Sequence, residues 1–168
     1  MALFRRSRVR ELGRGRFRVQ LPEPERELVA SLVEQLRELL THSAGDLPVL
    51  RRLFPTAYHE DAERDREFQQ LVRDDLLERR LAALDVVEQT LTGEEELDEA
   101  QLTAWMTALN DLRLVLGTRL DVGEEPVEID EDDPDAGAYV AYDYLGYLVG
   151  EVVDVLSGTL PPPADSGR

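Results

Sequence analysis

Leu97-Asp98-Glu99-Ala100-Gln101-Leu102 marks a helix start. Asp98 stands where its carboxylate accepts from the backbone N–H of Gln101, and the Gln101 amide reaches back toward Asp98. Leu97 and Leu102 bracket the turn as an apolar staple. The helix runs through Trp105 to about Leu116 or Leu120, with Gly117 and Gly123 as candidate ends. Outward in the C-terminal direction, Asp133-Pro134 opens a last helix, with Asp as cap and Pro in the first turn, ending near Ser157-Gly158. In the N-terminal direction a long helical stretch covers about Asp61 to Leu91, with Asp61 as its cap. Before it, Asp46-Leu47-Pro48 caps a short helix through Phe54 that Pro55 terminates. Pro22-Glu23-Pro24 opens the first helix, with apolar positions at Leu28, Val29, Leu32, Leu36, Leu39 and Leu40 forming one stripe.

Ahead of that helix the periodicity changes to two. Phe17-Arg18-Val19-Gln20-Leu21 alternates apolar and polar, and Leu12-Gly13-Arg14-Gly15 is turn-like, which together predict a hairpin. Phe17, Val19 and Leu21 face inward, while Arg16 and Arg18 share the outer face with Arg6, Arg8 and Arg10 of the partner strand. The expected fold is mainly α: a single-domain bundle of four to five helices with an N-terminal β-hairpin over residues 1–158. An acidic loop spans 121–135, and a mobile Pro-rich tail covers 159–168.

Composition narrows the chemistry. The 168 residues carry 19 basic and 36 acidic side chains for a net charge of −17. Residues 1–18 hold seven Arg and only Glu11, a net of +6, so the remainder carries −23. Every basic residue is Arg. Nine carboxylates fall in the fifteen residues Asp121 to Asp135, the pattern of a solvated loop. Absence of cysteine excludes disulfides, thiolate metal sites and cysteine nucleophiles within this sequence. No run of about 18 apolar residues suggests a membrane span. Arg5, Arg6, Arg8 and Arg10 stand where a signal peptide needs its apolar segment, so the expected location is the cytoplasm.

Some charges stand on apolar faces. At 100° per residue, Arg113 falls among Leu102, Met106, Leu109, Leu116 and Leu120, and Asp75 and Arg79 fall among Phe68, Val72, Ala82 and Val86. An unpaired buried charge costs several kcal/mol, so Asp75 is the natural partner of Arg113, with Arg79 and Asn110 nearby on their own helices. Such a cluster is an internal ion pair that sets helix register, a set of Arg stems that snorkel to solvent, or a polar pocket for a small ligand or catalysis. In the first case Asp75→Ala costs about 3–5 kcal/mol. The last helix is apolar around most of its circumference, through Tyr139, Val140, Tyr142, Tyr144, Leu145 and Tyr147 onward. It is therefore a central core helix or a homodimer surface, with Tyr139, Tyr142 and Tyr147 as the dimer candidates.

Catalytic and metal motifs fail on spacing. His42 and His59 lie in separate segments without a metal-binding interval, and His59-Glu60-Asp61 point in different directions. Asp130-x-Asp132 opens like a calcium loop, but the sixth position is Asp135 and the twelfth Ala141. No metal or cofactor is expected. No nucleophile elbow, P-loop or dinucleotide fingerprint occurs, and no carboxylate pair stands out for acid–base work.

Leu53-Phe54-Pro55-Thr56-Ala57-Tyr58, Trp105 followed by Leu109-Asn110-Asp111-Leu112-Arg113-Leu114 and Leu116-Gly117-Thr118-Arg119-Leu120, and Tyr142-Asp143-Tyr144-Leu145-Gly146-Tyr147-Leu148 complete the reading. With the Phe/Arg hairpin, these stretches resemble an actinobacterial family known only as a domain of unknown function, number two-zero-one-seven. The resemblance covers roughly residues 3–156, and Asn-Asp-Leu-Arg-Leu is its most specific part. It implies a cytoplasmic, mostly helical protein without assigned activity, whose gene often lies beside that of the ClpS protease adaptor and which is at times labelled a regulator. Trp105, Asn110, Asp111 and Arg113 match the pattern, but the family supplies no catalytic residues. The acidic run and Pro-rich tail fall outside it.

Three functional readings follow. The first is a non-enzymatic interaction or regulatory protein with a protein partner, linked by gene neighbourhood to Clp proteolysis. The second is a nucleic-acid-associated regulator using Arg6, Arg8, Arg10, Arg16 and Arg18, against which the acidic body repels polyanions. The third is a small-ligand or enzyme site around Asp75, Arg79, Asn110, Asp111 and Arg113.

Overall fold

Apolar side chains spaced to line single faces fold into four helices and a hairpin around one core. A computed structural model describes residues 6–43, 47–54, 62–125 and 128–158, without the side chains of residues 43 and 62–65. Strands β1 (Val9–Gly13) and β2 (Arg16–Val19) precede helices α1 (Glu23–Ser43), α2 (Ala62–Thr90), α3 (Glu99–Arg119) and α4 (Ala136–Gly158). The expected bundle with an N-terminal hairpin is what forms.

The hairpin pairs antiparallel with Val9 opposite Val19 and Arg10 opposite Arg18, and its register slips between Glu11 and Gly13. Gly13, Arg14 and Gly15 all take positive φ, which closes the turn. Phe17, Val19 and Leu21 are buried, as the alternation demands. Backbone bonds between Phe17 and Leu97 run both ways, at 2.9 and 2.8 Å. They fasten β2 to the segment that starts α3. There Asp98 accepts from the Gln101 N–H and the Gln101 side chain accepts from the Asp98 N–H, so the expected capping box is complete. Leu97 and Leu102 are both buried.

The core helix is α3, not the last helix. Leu102, Trp105, Ala108, Leu109, Leu112 and Leu116 of α3 are buried, and α3 packs against α1, α2, α4 and the hairpin. Trp105 is fully buried and its indole N–H donates to the Thr90 hydroxyl at 2.8 Å, while that hydroxyl donates to the Val86 carbonyl at 2.6 Å. Helix α4 buries one stripe, Ala141, Leu145, Leu148 and Val152, and leaves Val140 68% exposed. The expectation of a central core helix is thus corrected. Tyrosine rings broaden the apolar face on a helical wheel, yet their hydroxyls draw them to the margins, where polar partners exist.

Two further boundaries differ. The short helix expected through Phe54 is a single 3₁₀ turn, Pro48–Leu50, whose cap position Leu47 has no side-chain acceptor for the free N–H groups. Leu50, Leu53 and Phe54 are all buried there. Asp46, His59, Asp61 and the 159–168 tail lie outside the described residues. Helix α4 begins just beyond Asp133-Pro134, where the Asp133 carboxylate accepts from the Asp135 N–H at 2.8 Å.

Close approach of α3 and α4 depends on glycine. A methyl group on Gly117 would come within 3.0 Å of the Tyr142 ring, and one on Gly146 within 3.3 Å of Arg113 Nε. In a helix exposed to solvent, Gly→Ala stabilises by about 0.5–1 kcal/mol through propensity. Gly117→Ala is expected to have the opposite sign, losing about 1–3 kcal/mol to overpacking, read as a lowered urea midpoint. A raised midpoint would refute the close contact.

Candidate functional site

Two polar constellations stand on this frame, one inside the bundle and one where the hairpin meets the helices. Inside, the Arg80 guanidinium of α2 bonds the Asp111 carboxylate of α3 and, at 3.0 Å, the Leu53 carbonyl. The Asp111 side chain is 3% exposed and that of Arg80 17%. The Arg80 guanidinium carbon lies 5.9 Å from the Phe54 ring centre. Burial pushes the Asp111 carboxyl above the usual carboxylate range, and the bond and charge of Arg80 pull against that shift. Arg80 therefore ties α2, α3 and the Pro48–Phe54 turn at one point.

This pair replaces the one expected from the sequence. Asp75 bonds Arg79 at 3.1 Å on the surface of α2, with side chains 58% and 75% exposed, and neither meets Arg113. The inward face of α2 passes through Arg80, Ala83, Leu84 and Val87, a rotation away from the stripe through Phe68, Val72 and Asp75. Phe68 and Leu71 lie open to solvent, 63% and 69% exposed, with Val72 at 40%. Arg113 is half-buried, its guanidinium 5.1 Å from the centre of the Tyr142 ring, with Nε out of reach of any hydrogen-bond partner. Asn110 is half-buried on α3. Of the five expected residues, Asp111 alone joins a buried ion pair, and its partner Arg80 was missed. The spacing of Arg80 with Ala83, Leu84 and Val87 is the signal that points to it.

At the hairpin, Arg8 bonds Glu25 of α1 through both prongs of its guanidinium, Nε at 2.8 Å and Nη2 at 2.9 Å. The same carboxylate accepts from the Tyr144 hydroxyl at 2.7 Å. Glu151 of α4 accepts the backbone N–H groups of Arg8 and Val9 at 2.7 and 3.1 Å, and the Tyr147 hydroxyl at 2.6 Å. The bond to Glu25 raises the Arg8 pKa further, although burial opposes it. Burial, then the bond and charge of Glu25, push the Tyr144 phenol up. Charged, bidentate and partly shielded, this latch fixes the first strand to the start of α1 and the interior of α4. Tyr144 and Glu151 lie more than a hundred residues from Arg8 and Glu25 in sequence, and no local pattern marks the pairing.

Glu151→Gln preserves shape but removes the charge beneath the Arg8 and Val9 amides. We expect those two amides to exchange about tenfold faster, a local loss of about 1–2 kcal/mol. Amides of α3 should be unchanged in the same hydrogen-exchange experiment.

The basic face is only partly engaged by the protein itself. Arg8 is held, whereas no carboxylate among the described residues forms an ion pair with Arg6, Arg10, Arg16 or Arg18. Arg10 and Arg18 stand directly opposite each other. Of the tyrosines expected at a dimer surface, Tyr139 donates to the Leu120 carbonyl at 3.4 Å, Tyr142 lies beside Arg113, and Tyr147 serves the latch. Among the described residues, no group of three or more His, Cys, Asp or Glu is placed to hold a metal ion. No described helix is long and apolar enough to cross a membrane.

Comparison with known proteins finds relatives of this sequence. The chain is 30% identical over 132 residues to proteins named Oxidative stress regulator AosR from Mycobacterium bovis and from two strains of Mycobacterium tuberculosis. The match covers 68% of this chain, which spans 60% of the length of those relatives. No solved structure gives a significant match. The family model "Domain of unknown function (DUF2017)" matches residues 1–156, and the chain belongs to that family.

Proposed function

We propose that the protein is a cytoplasmic regulatory protein that works by binding another protein rather than by catalysis. The observation that carries this reading is the exposed apolar turn of α2. From Arg66 to Asp75 no side chain is fully buried, and Phe68, Leu71 and Val72 stand in solvent between charged neighbours. Large apolar side chains grouped on a helix and rimmed by charge suit a protein contact. Its relatives' name supports a regulatory role, in oxidative stress for those proteins. Within this sequence such a role excludes a thiol sensor, since there is no cysteine, so oxidant detection falls to the partner or to another group. The resemblance to a family encoded near the ClpS adaptor makes proteolysis a second setting for the same contact.

The test is photo-crosslinking in the native cell from positions 68 and 71, with position 89 on the same helix as control. One protein adduct is expected from 68 and 71 and none from 89, and the adduct from 71 is lost with Phe68→Asp. Adducts from all three positions alike, or from none, would remove the reading.

A further inference from the structure

A groove of about 500 Å³ opens between the segment leading into β1 and the start of α1, lined by Arg6, Arg8, Arg10, Gln20, Leu21 and Pro22. Its parts have unequal freedom. Arg8 is spent on Glu25, and its Nη1 also donates to the Arg6 carbonyl at 2.5 Å, which fixes the backbone of that wall. Arg10 Nη2 donates to Gln20 Oε1 at 3.4 Å, turning the Gln20 amide so that its NH₂ is left to donate elsewhere. The guanidinium groups of Arg6 and Arg10 form no ion pair among the described residues, and Arg18 adds its charge directly across the strand pair from Arg10. Like charges opposed on one face of a hairpin are destabilising, and an anion between them offsets that cost. The floor, Leu21 and Pro22, is apolar.

We infer that this groove binds a nucleotide-sized phosphorylated small molecule, with Arg6 and Arg10 on the phosphates, Gln20 donating to the organic part, and Leu21 and Pro22 beneath it. Guanidinium forks match phosphate oxygens, and the volume falls in the range of small-ligand sites. Inorganic phosphate would leave the apolar floor uncovered. A polynucleotide would meet the −23 carried by residues 19–168 as soon as it left the groove. The inference is independent of the α2 contact proposed above, since it concerns different residues and a different ligand class.

The experiment is isothermal titration of the full chain with ATP, with inorganic phosphate and with a short single-stranded oligonucleotide. Each is repeated on the double variant Arg6→Gln/Arg10→Gln and on Arg79→Gln, which lies on the surface of α2. Removing Arg10 relieves its repulsion with Arg18, so the double variant should melt no lower than the parent protein. Expected are saturable ATP binding, weaker binding of phosphate, and an affinity about tenfold lower or worse in the double variant, with Arg79→Gln unchanged. The inference is overturned by no saturable ATP binding at millimolar concentration, by equal loss in Arg79→Gln, or by phosphate binding as tightly as ATP. Tighter binding of the oligonucleotide than of ATP would overturn it in favour of nucleic acid.

Discussion

Asp111→Ala is expected to destabilise the fold by about 3–5 kcal/mol, because it leaves the Arg80 guanidinium charged and largely enclosed without its counter-ion. For a chain of this size that is a fall of about 10 °C in Tm. Asp75→Ala should change it by less than about 0.5 kcal/mol, since the Asp75–Arg79 pair is solvated and lies on one helix. The two carboxylates thus provide a paired test by thermal melting. The sequence alone assigned the large effect to Asp75, and the structure assigns it to Asp111. Equal effects would refute the assignment of helix faces made here. Replacing both Arg80 and Asp111 by apolar residues of similar size should restore much of the loss, because desolvating two charges consumes most of what their attraction returns.

Trp105→Ala is expected to cost a similar amount, about 3–5 kcal/mol, for a different reason. The indole is fully buried in the second turn of α3, and its removal leaves a cavity that the elements packed on that helix cannot close without moving. It also takes away the donor that meets the Thr90 hydroxyl. Trp105→Phe keeps most of the volume and loses that bond, so about 1–2 kcal/mol is expected. Urea unfolding followed by far-ultraviolet circular dichroism checks both variants. In the parent protein the emission of this single tryptophan reports the same transition. A midpoint for Trp105→Ala within error of the parent would show that the helix is not packed as described.

These effects separate what neighbouring residues can reveal from what they cannot. The hairpin was legible because a side-chain period of two and a Gly-rich turn are properties of adjacent residues, and Phe17, Val19 and Leu21 are buried as that period requires. The start of α3 was legible because a capping box closes within four residues. The face of α2 was not. Its apolar and charged residues project onto more than one stripe, and the choice between them depends on where α3 and the Pro48–Phe54 turn pack. The central-core reading of the last helix failed for a related reason. Composition counted tyrosine as apolar, whereas hydroxyls with partners on Glu25, Glu151 and Leu120 set those rings at the edge of the contact.

The sequence by itself determined the element types, the polarity of the hairpin faces, the cap of α3 and the exclusion of thiol chemistry. All of these depend on local geometry or on composition. Only the tertiary structure decided that Asp111 pairs with Arg80, that Arg8 is engaged while Arg6 and Arg10 form no ion pair among the described residues, and that Phe68 and Leu71 face solvent. Electrostatic and apolar contacts between segments up to 143 residues apart have no local signature, because one sequence pattern offers several partners and packing selects among them.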